Sequence, residues 1–97
     1  MRTLLKVSIP VAQGNEAARD GALRRTIDST MEALKPEAAY FYLEDGKRTT
    51  IMVFDMEGSW QLPSTREPLF QDLGASVHLT PVMDREDLQR GFKEAGM

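Results

Sequence analysis

The chain contains no cysteine, and its 97 residues include a single histidine and a single tryptophan. The absence of cysteine excludes disulfide bonds, thiolate zinc sites and thiol catalysis. One histidine per chain also excludes a histidine-rich metal centre. No apolar run approaches the roughly 18 residues that cross a bilayer, and residues 1–10 carry no signal-peptide cleavage pattern. We therefore expect a cytoplasmic domain without a metal.

Positive charge is not in excess either. Twelve Lys and Arg residues stand against fifteen Asp and Glu residues, which gives a net charge of -3. Nucleic acids and anionic membranes attract basic surfaces, so we expect neither as a partner. The sequence also lacks a Gly-x-Gly-x-x-Gly motif, a P-loop and a Gly-x-Ser-x-Gly motif. These absences argue against a nucleotide cofactor and against serine-hydrolase chemistry, and we expect no cofactor.

Hydrophobic alternation and turn residues predict one domain over residues 1–97, with four strands and three helices. The predicted strands are residues 3–9, 38–43, 48–56 and 76–82. The first helix ends near Leu34 and begins either at Asn15 or after Asp20-Gly21. A short helix from about Thr65 ends at Gly74 as its left-handed cap. Asp84, with Asp87 three residues later, caps the last helix.

The dipeptide Asp45-Gly46 between two apolar strands is the strongest short-range signal for a β-hairpin. The element order is then the split βαβ arrangement βαββαβ of ferredoxin-like folds, followed by a C-terminal helix. Right-handed crossovers place both main helices on one face of a four-stranded antiparallel sheet. We therefore predict an α+β, ferredoxin-like fold with the first and third strands in the centre of the sheet.

Strand alternation divides the predicted sheet into a helix-covered face and an open face. To the covered face we assign Leu5, Val7, Ile9, Phe41, Ile51, Val53, Val77 and Leu79. To the open face we assign Leu4, Lys6, Ser8, Tyr40, Tyr42, Met52, Phe54, Met56, His78, Thr80 and Val82. Such an apolar face rarely stays in water, and twofold homodimers are the commonest oligomers. The expected partner is a second copy packed on the open sheet face.

At this level the chain resembles the dimeric α+β barrel superfamily, in which two such sheets face each other across a pocket. Residues 34–41 (LKPEAAYF), 45–49 (DGKRT) and 53–56 (VFDM) are similar to a family of small, uncharacterised bacterial proteins. The resemblance implies a dimeric α+β barrel. Relatives in the superfamily include cofactor-independent monooxygenases, lactone isomerases and polyketide cyclases, besides members without a known reaction, so the fold does not decide the function.

Five polar and aromatic residues are candidates for a ligand site between the second helix and the open face. Lys6, Tyr40, Tyr42 and Trp60 are the candidate ligand-binding residues, and His78 is the candidate catalytic residue. Lys6 would balance an anionic group, the tyrosines would orient an aromatic ring, and His78 would move a proton. The alternative is that these are amphipathic interface and structural residues.

Two functions remain open at this point. The first is a small homodimeric α+β barrel protein that binds a small molecule, with a small aromatic compound as the candidate ligand, or serves as an accessory domain without catalysis. The second is a cofactor-independent monooxygenase, isomerase or cyclase acting on an aromatic or polyketide-like substrate. A deep pocket with convergent polar groups would favour the enzyme.

We predict no appreciable affinity for nucleic acid at physiological salt, because phosphate contacts supply most non-specific binding and this chain is acidic. Fluorescence anisotropy with labelled single-stranded RNA and duplex DNA measures this directly. Saturable, salt-sensitive binding at sub-micromolar concentration would contradict the prediction.

Overall fold

Four strands and four α-helices make up most of the chain in this structure, a computed structural model that describes residues 1–97. In chain order they are β1 (Arg2–Ile9), α1 (Val11–Asp20), α2 (Ala22–Leu34), β2 (Ala38–Glu44), β3 (Lys47–Asp55), α3 (Leu62–Leu73), β4 (Ser76–Pro81) and α4 (Arg85–Glu94). A single 3-10 turn, Ser59–Gln61, precedes α3. None of the helices combines the length and the apolar composition needed to cross a membrane.

The four strands form one antiparallel sheet in the order β2-β3-β1-β4. The predicted ferredoxin-like fold is confirmed, with β1 and β3 in the centre and β2 and β4 at the edges. Asp45 and Gly46 join β2 to β3, and both have positive φ angles, of 54° and 74°. These angles are typical of the two-residue turn that matches the twist of a hairpin. The turn places Glu44 opposite Lys47.

The core lies between the sheet and the helices α1, α2 and α3. Every second residue of β1 from Thr3 to Ile9 is buried, as expected for a strand with one covered face. Leu69 and Leu73 of α3 are fully buried in the same cluster. The apolar side of α2 also packs there, through Leu23, Ile27, Met31 and Leu34.

The predicted face assignment of β3 was wrong. Met52 and Phe54 are each 1% exposed and belong to the core, whereas Ile51 and Val53 lie on the open face opposite Lys6 and Leu4. The reason is the turn, which makes each even-numbered residue of β2 pair with an odd-numbered residue of β3. Met56, directly after β3, also packs against the core and not on the open face.

The predicted first helix is in fact two helices. α1 begins directly after Pro10, earlier than expected, and Gly21 separates it from α2 with a φ of 84°. A left-handed residue ends the hydrogen-bonding pattern of a helix, and glycine reaches this conformation without steric cost. The Asp20 carboxylate accepts a hydrogen bond of 2.8 Å from the Ala22 amide at the start of α2.

The next helix, α3, also begins earlier than predicted, at Leu62, and it accommodates Pro68 in its interior. The Ser64 hydroxyl does not cap this helix, because it donates a hydrogen bond to the Gln61 carbonyl. Gly74 does end the helix in a left-handed conformation, as predicted.

The last helix, α4, forms as predicted but projects from the rest of the domain. The Asp84 carboxylate accepts a 2.8 Å hydrogen bond from the Asp87 amide, and the Asp87 carboxylate accepts one of 3.2 Å from the Asp84 amide, which confirms the capping box. Nevertheless α4 contributes no buried residue. The chain measures 53 × 28 × 18 Å with a radius of gyration of 15.3 Å, against about 12.5 Å for a compact domain of this length.

We predict that truncating Met52 destabilises the fold more than truncating its neighbour Ile51. In dilute solution, Met52→Ala should lower the free energy of unfolding by about 2–5 kcal/mol, since it leaves a cavity in the core. Ile51→Ala should have a smaller effect, because Ile51 is only half-buried on the open face. Chemical denaturation of both variants is the measurement, and the opposite order would restore the original assignment of β3.

Candidate functional site

The open face of the sheet consists of three rows of side chains that run across all four strands. The register of the strands defines each row in the order β2, β3, β1, β4. The rows are Ala38–Val53–Leu4–Thr80, Tyr40–Ile51–Lys6–His78 and Tyr42–Thr49–Ser8–Ser76. The face is therefore apolar and aromatic towards β2 and polar towards β4.

The structure brings together four of the five candidate site residues. Lys6 and His78 are direct neighbours across the pairing of β1 and β4. Tyr40 lies in the same row, and Tyr42 lies two residues along β2 from it. The strand alternation in β1, β2 and β4 was thus read correctly, and this part of the predicted constellation does share one surface.

Trp60 does not belong to these rows. It lies in the 3-10 turn before α3, is 70% exposed, and rests its indole against Gly58. The expected position of the site, between the second helix and the open face, was also wrong. That helix is α3, and its buried residues Leu69 and Leu73 pack on the opposite face of the sheet.

An ion pair between Lys6 and Glu44 spans the open face. Lys6 is on β1 and Glu44 is on β2, so the pair crosses β3, which lies between those strands. The Tyr42 hydroxyl donates to the other carboxylate oxygen, Glu44 Oε1, at 3.3 Å. Thr49 of β3 is only 2% exposed although it belongs to the open face. Lys6, Glu44 and Tyr42 thus form a connected polar group at the end of the face that contains the row Tyr42–Thr49–Ser8–Ser76.

The charges of this group stabilise each other. The Lys6 ammonium holds the pKa of the Glu44 carboxyl below its ordinary value, with a smaller contribution from the Tyr42 hydroxyl. The hydrogen bond to Glu44 in turn raises the pKa of Lys6 above its ordinary value. A lysine with a raised pKa stays protonated at neutral pH, so it suits charge stabilisation better than proton abstraction or nucleophilic attack.

Sequence reasoning missed Glu44, because it ended the second strand at Leu43. A signal was present, since Glu44 has the same parity as Tyr40 and Tyr42 and directly precedes the turn. A two-residue hairpin turn extends the strand up to the residue before it. Counting back from Asp45 would therefore have placed this carboxylate on the open face.

His78 is exposed on the edge strand β4 and makes no side-chain hydrogen bond within the chain. A histidine that transfers protons is normally held in one orientation by a hydrogen-bonding partner. Within one chain, Lys6 is its neighbour in the row, and a lysine cannot accept the hydrogen of an imidazole. A catalytic role for His78 stays a prediction.

Three grooves on the surface of the chain lie mostly away from the candidate residues. One of about 390 Å³ lies between α2 and α3, and one of about 460 Å³ lies at the start of α4. The third, of about 370 Å³, lies between α2 and the edge strand β2 and is lined by Phe41, Leu43 and one candidate residue, Tyr42. Lys6, Tyr40 and His78 line none of the three. An enclosed pocket over them needs a second layer.

Comparisons with known proteins identify no family for this chain. A scan against protein-family models finds no match, and a search of curated proteins finds none. Among solved structures, the chain is similar to the de novo designed protein Ferredog-Diesel, at 7% sequence identity and a TM-score of 0.47, covering 84% of this chain and 85% of that chain. The resemblance to dimeric α+β barrels stays a prediction.

We predict that Lys6→Met raises the pKa of Glu44 towards its ordinary value, because the largest stabilising partner of the carboxylate is removed. Since this pKa is lowered in the folded chain, the ion pair stabilises the fold above the ordinary carboxyl pKa. That contribution disappears as the pH falls through the lowered value.

The measurement is a carbon-13 NMR titration of the side-chain carboxyls. Lys93→Met, on the exposed helix α4, is the matched control and should leave Glu44 unchanged. An unchanged Glu44 titration in Lys6→Met would show that the pair does not form in solution.

Proposed function

We propose that this chain is a homodimeric, ferredoxin-like small-molecule-binding protein whose two open sheet faces pack together as a dimeric α+β barrel. The observation that carries the proposal is an apolar sheet face that no helix of the chain covers. The three packed helices lie on the opposite face, and α4 buries nothing. The uncovered residues are Leu4, Ile51, Val53, Tyr40 and Tyr42.

The distribution of these residues favours sheet-to-sheet packing. Leu4 and Val53 are direct partners in the two central strands, so they form an apolar centre. Tyr40, 64% exposed, and Tyr42, 38% exposed, flank this centre on β2. Apolar centres with aromatic and polar surroundings are typical of protein interfaces. A second copy supplies the missing layer by symmetry.

A ligand space between two such faces would have a defined chemistry. The two tyrosine hydroxyls and Glu44 lie on β2 at one edge of the face, and His78 lies on β4 at the other edge. Lys6 lies between them on β1, paired with Glu44 and next to His78. Aromatic rings offer a stacking surface for a planar ligand, and the hydroxyls and the ammonium offer donors to an anionic substituent. We propose aromatic carboxylates and related planar anions as the ligand class.

Binding is proposed in preference to catalysis because no group in the chain orients His78 and because Lys6 is neutralised by Glu44. The cytoplasm is the proposed location, since a chain without cysteine gains nothing from an oxidising compartment.

We predict that the wild-type chain has about twice its 10.9 kDa chain mass in light scattering after size exclusion. Val53→Arg should shift the mass to that of one chain, since it places a charge in the apolar centre of the face. Val11→Arg is the matched control, because Val11 is 51% exposed at the start of α1, on the helix side. A wild-type monomer at micromolar concentration would overturn the proposal.

We predict that aromatic carboxylates raise the thermal unfolding temperature of the wild-type dimer. Tyr42→Phe and Lys6→Met should weaken this stabilisation, because each removes one donor from the face. The control is Trp60→Phe, outside the rows of the open face. If the compounds stabilise the Tyr42 and Lys6 variants as much as the parent, these residues do not form the binding site.

A further inference from the structure

The C-terminal helix α4 is amphipathic and has no partner within its own chain. Leu88 and Phe92 are one helical turn apart and are 40% and 42% exposed, and the preceding Met83 is 65% exposed. Arg90 and Glu94 lie on other sides of the helix, by the spacing of 3.6 residues per turn. An apolar stripe with charges opposite is the pattern of a helix that packs against a surface.

The sequence provides capping residues for α4, although the helix is too short to be stable alone. α4 has ten residues and a complete capping box, whereas isolated helices below about 12–15 residues are marginal in water. The direction of α4 is also set at its base, where Asp84 accepts a 3.0 Å bond from Arg2 of β1. The same guanidinium donates to Glu37, just before β2, at 2.6 Å. The helix is therefore a defined extension with an uncovered apolar side.

The size of the open sheet face indicates what covers that side. Four strands about 4.8 Å apart and about seven residues long form a plane of roughly 450 Å². A stable dimer commonly buries about 800 Å² on each partner. Side chains stand above the plane and give the face more accessible area than the plane itself, but an interface on the sheet face alone would still be a small one. A helix about 15 Å long with an apolar stripe adds contact surface beyond the end of the sheet.

The charge of α4 argues against other kinds of partner. Arg85, Arg90 and Lys93 are balanced by Glu86, Asp87 and Glu94, so the helix has no net charge. Helices that lie on anionic membranes or on nucleic acid carry an excess of Lys and Arg on the polar side. A neutral amphipathic helix on an acidic chain fits a protein surface of similar charge, such as a second copy.

We propose that α4 is an exchanged arm, which buries Leu88 and Phe92 against the partner copy in the homodimer. The inference rests on the proposed function, because it names the contact that completes the dimer. Each chain gives one arm and receives one, as twofold symmetry requires. The elongated shape of the single chain is then the shape of a subunit whose last helix belongs to the interface.

A photo-crosslinking experiment tests where α4 lies. The chain with p-benzoylphenylalanine at position 92 is mixed with an excess of nitrogen-15-labelled wild-type chain, left to exchange subunits and irradiated. Mass spectrometry then separates crosslinks between labelled and unlabelled peptides from crosslinks within unlabelled chains. We expect mixed pairs. Crosslinks confined to unlabelled peptides would mean that α4 folds back on its own chain, and an absence of crosslinks would mean that it stays in solvent; either result overturns the proposal.

A pair of variants gives a second measurement. Phe92→Gln should weaken the dimer about tenfold or more in sedimentation experiments, as expected for loss of an aromatic interface anchor. Arg90→Gln, on another side of the same helix, should leave the dimer constant unchanged. Neither change affects the core, because α4 contributes no buried residue. Equal dimer constants for the two variants would contradict the proposed arm.

The outcomes also separate the two proposals. If Val53→Arg disrupts the dimer and Phe92→Gln leaves it intact, the sheet-face interface is supported and the proposed arm is ruled out. If Phe92→Gln weakens the dimer and Val53→Arg leaves it intact, the sheet-face interface is ruled out. A wild-type monomer removes the proposed function and the arm that rests on it.

Discussion

The two-residue turn at Asp45-Gly46 is the constraint on which the arrangement of the molecule depends. Positive φ angles at both positions leave no extra residue between the strands, so Glu44 must face Lys47. Side-chain direction alternates with every residue, and a shift of one residue would exchange the two faces of β3. The turn therefore decides which residues build the core, which form the open face, and that the Glu44 carboxylate can meet Lys6 across the sheet.

Much of the fold could be predicted from the sequence, because strand alternation, helical stripes and hairpin residues are local signals. It was harder to predict which residues of β3 face the core, since residues 51–54 are all apolar and alternation carries no information there. The turn held that information: a two-residue hairpin is incompatible with placing Tyr40 and Met52 on the same face. Only part of the site was predicted. The position of Trp60 depends on the path of the irregular segment before α3, and no periodic pattern in the sequence specifies that path.

The candidate site combines a sheet face with an internal ion pair, and each limits the chemistry of the other. The Lys6 charge is already balanced by Glu44, so an anionic ligand would have to compete with a carboxylate that is held in place. The rows of the face are open to solvent on one side in a single chain, and their dielectric environment depends on what packs above them. In the proposed dimer, the packing of the two faces, more than any one residue, would therefore determine what the face can bind.

The edge strand β2 has a consequence for the behaviour of the single chain at high concentration. Tyr40, Phe41, Tyr42 and Leu43 are consecutive and between 38% and 75% exposed, and the strand contains no proline, lysine or bulge in this stretch. Natural edge strands usually carry such features, which prevent strands of neighbouring molecules from pairing with them. A free chain therefore displays a template for cross-β aggregation. Because such pairing needs two chains, its rate rises steeply with chain concentration, so aggregation through β2 becomes more important when synthesis is fast.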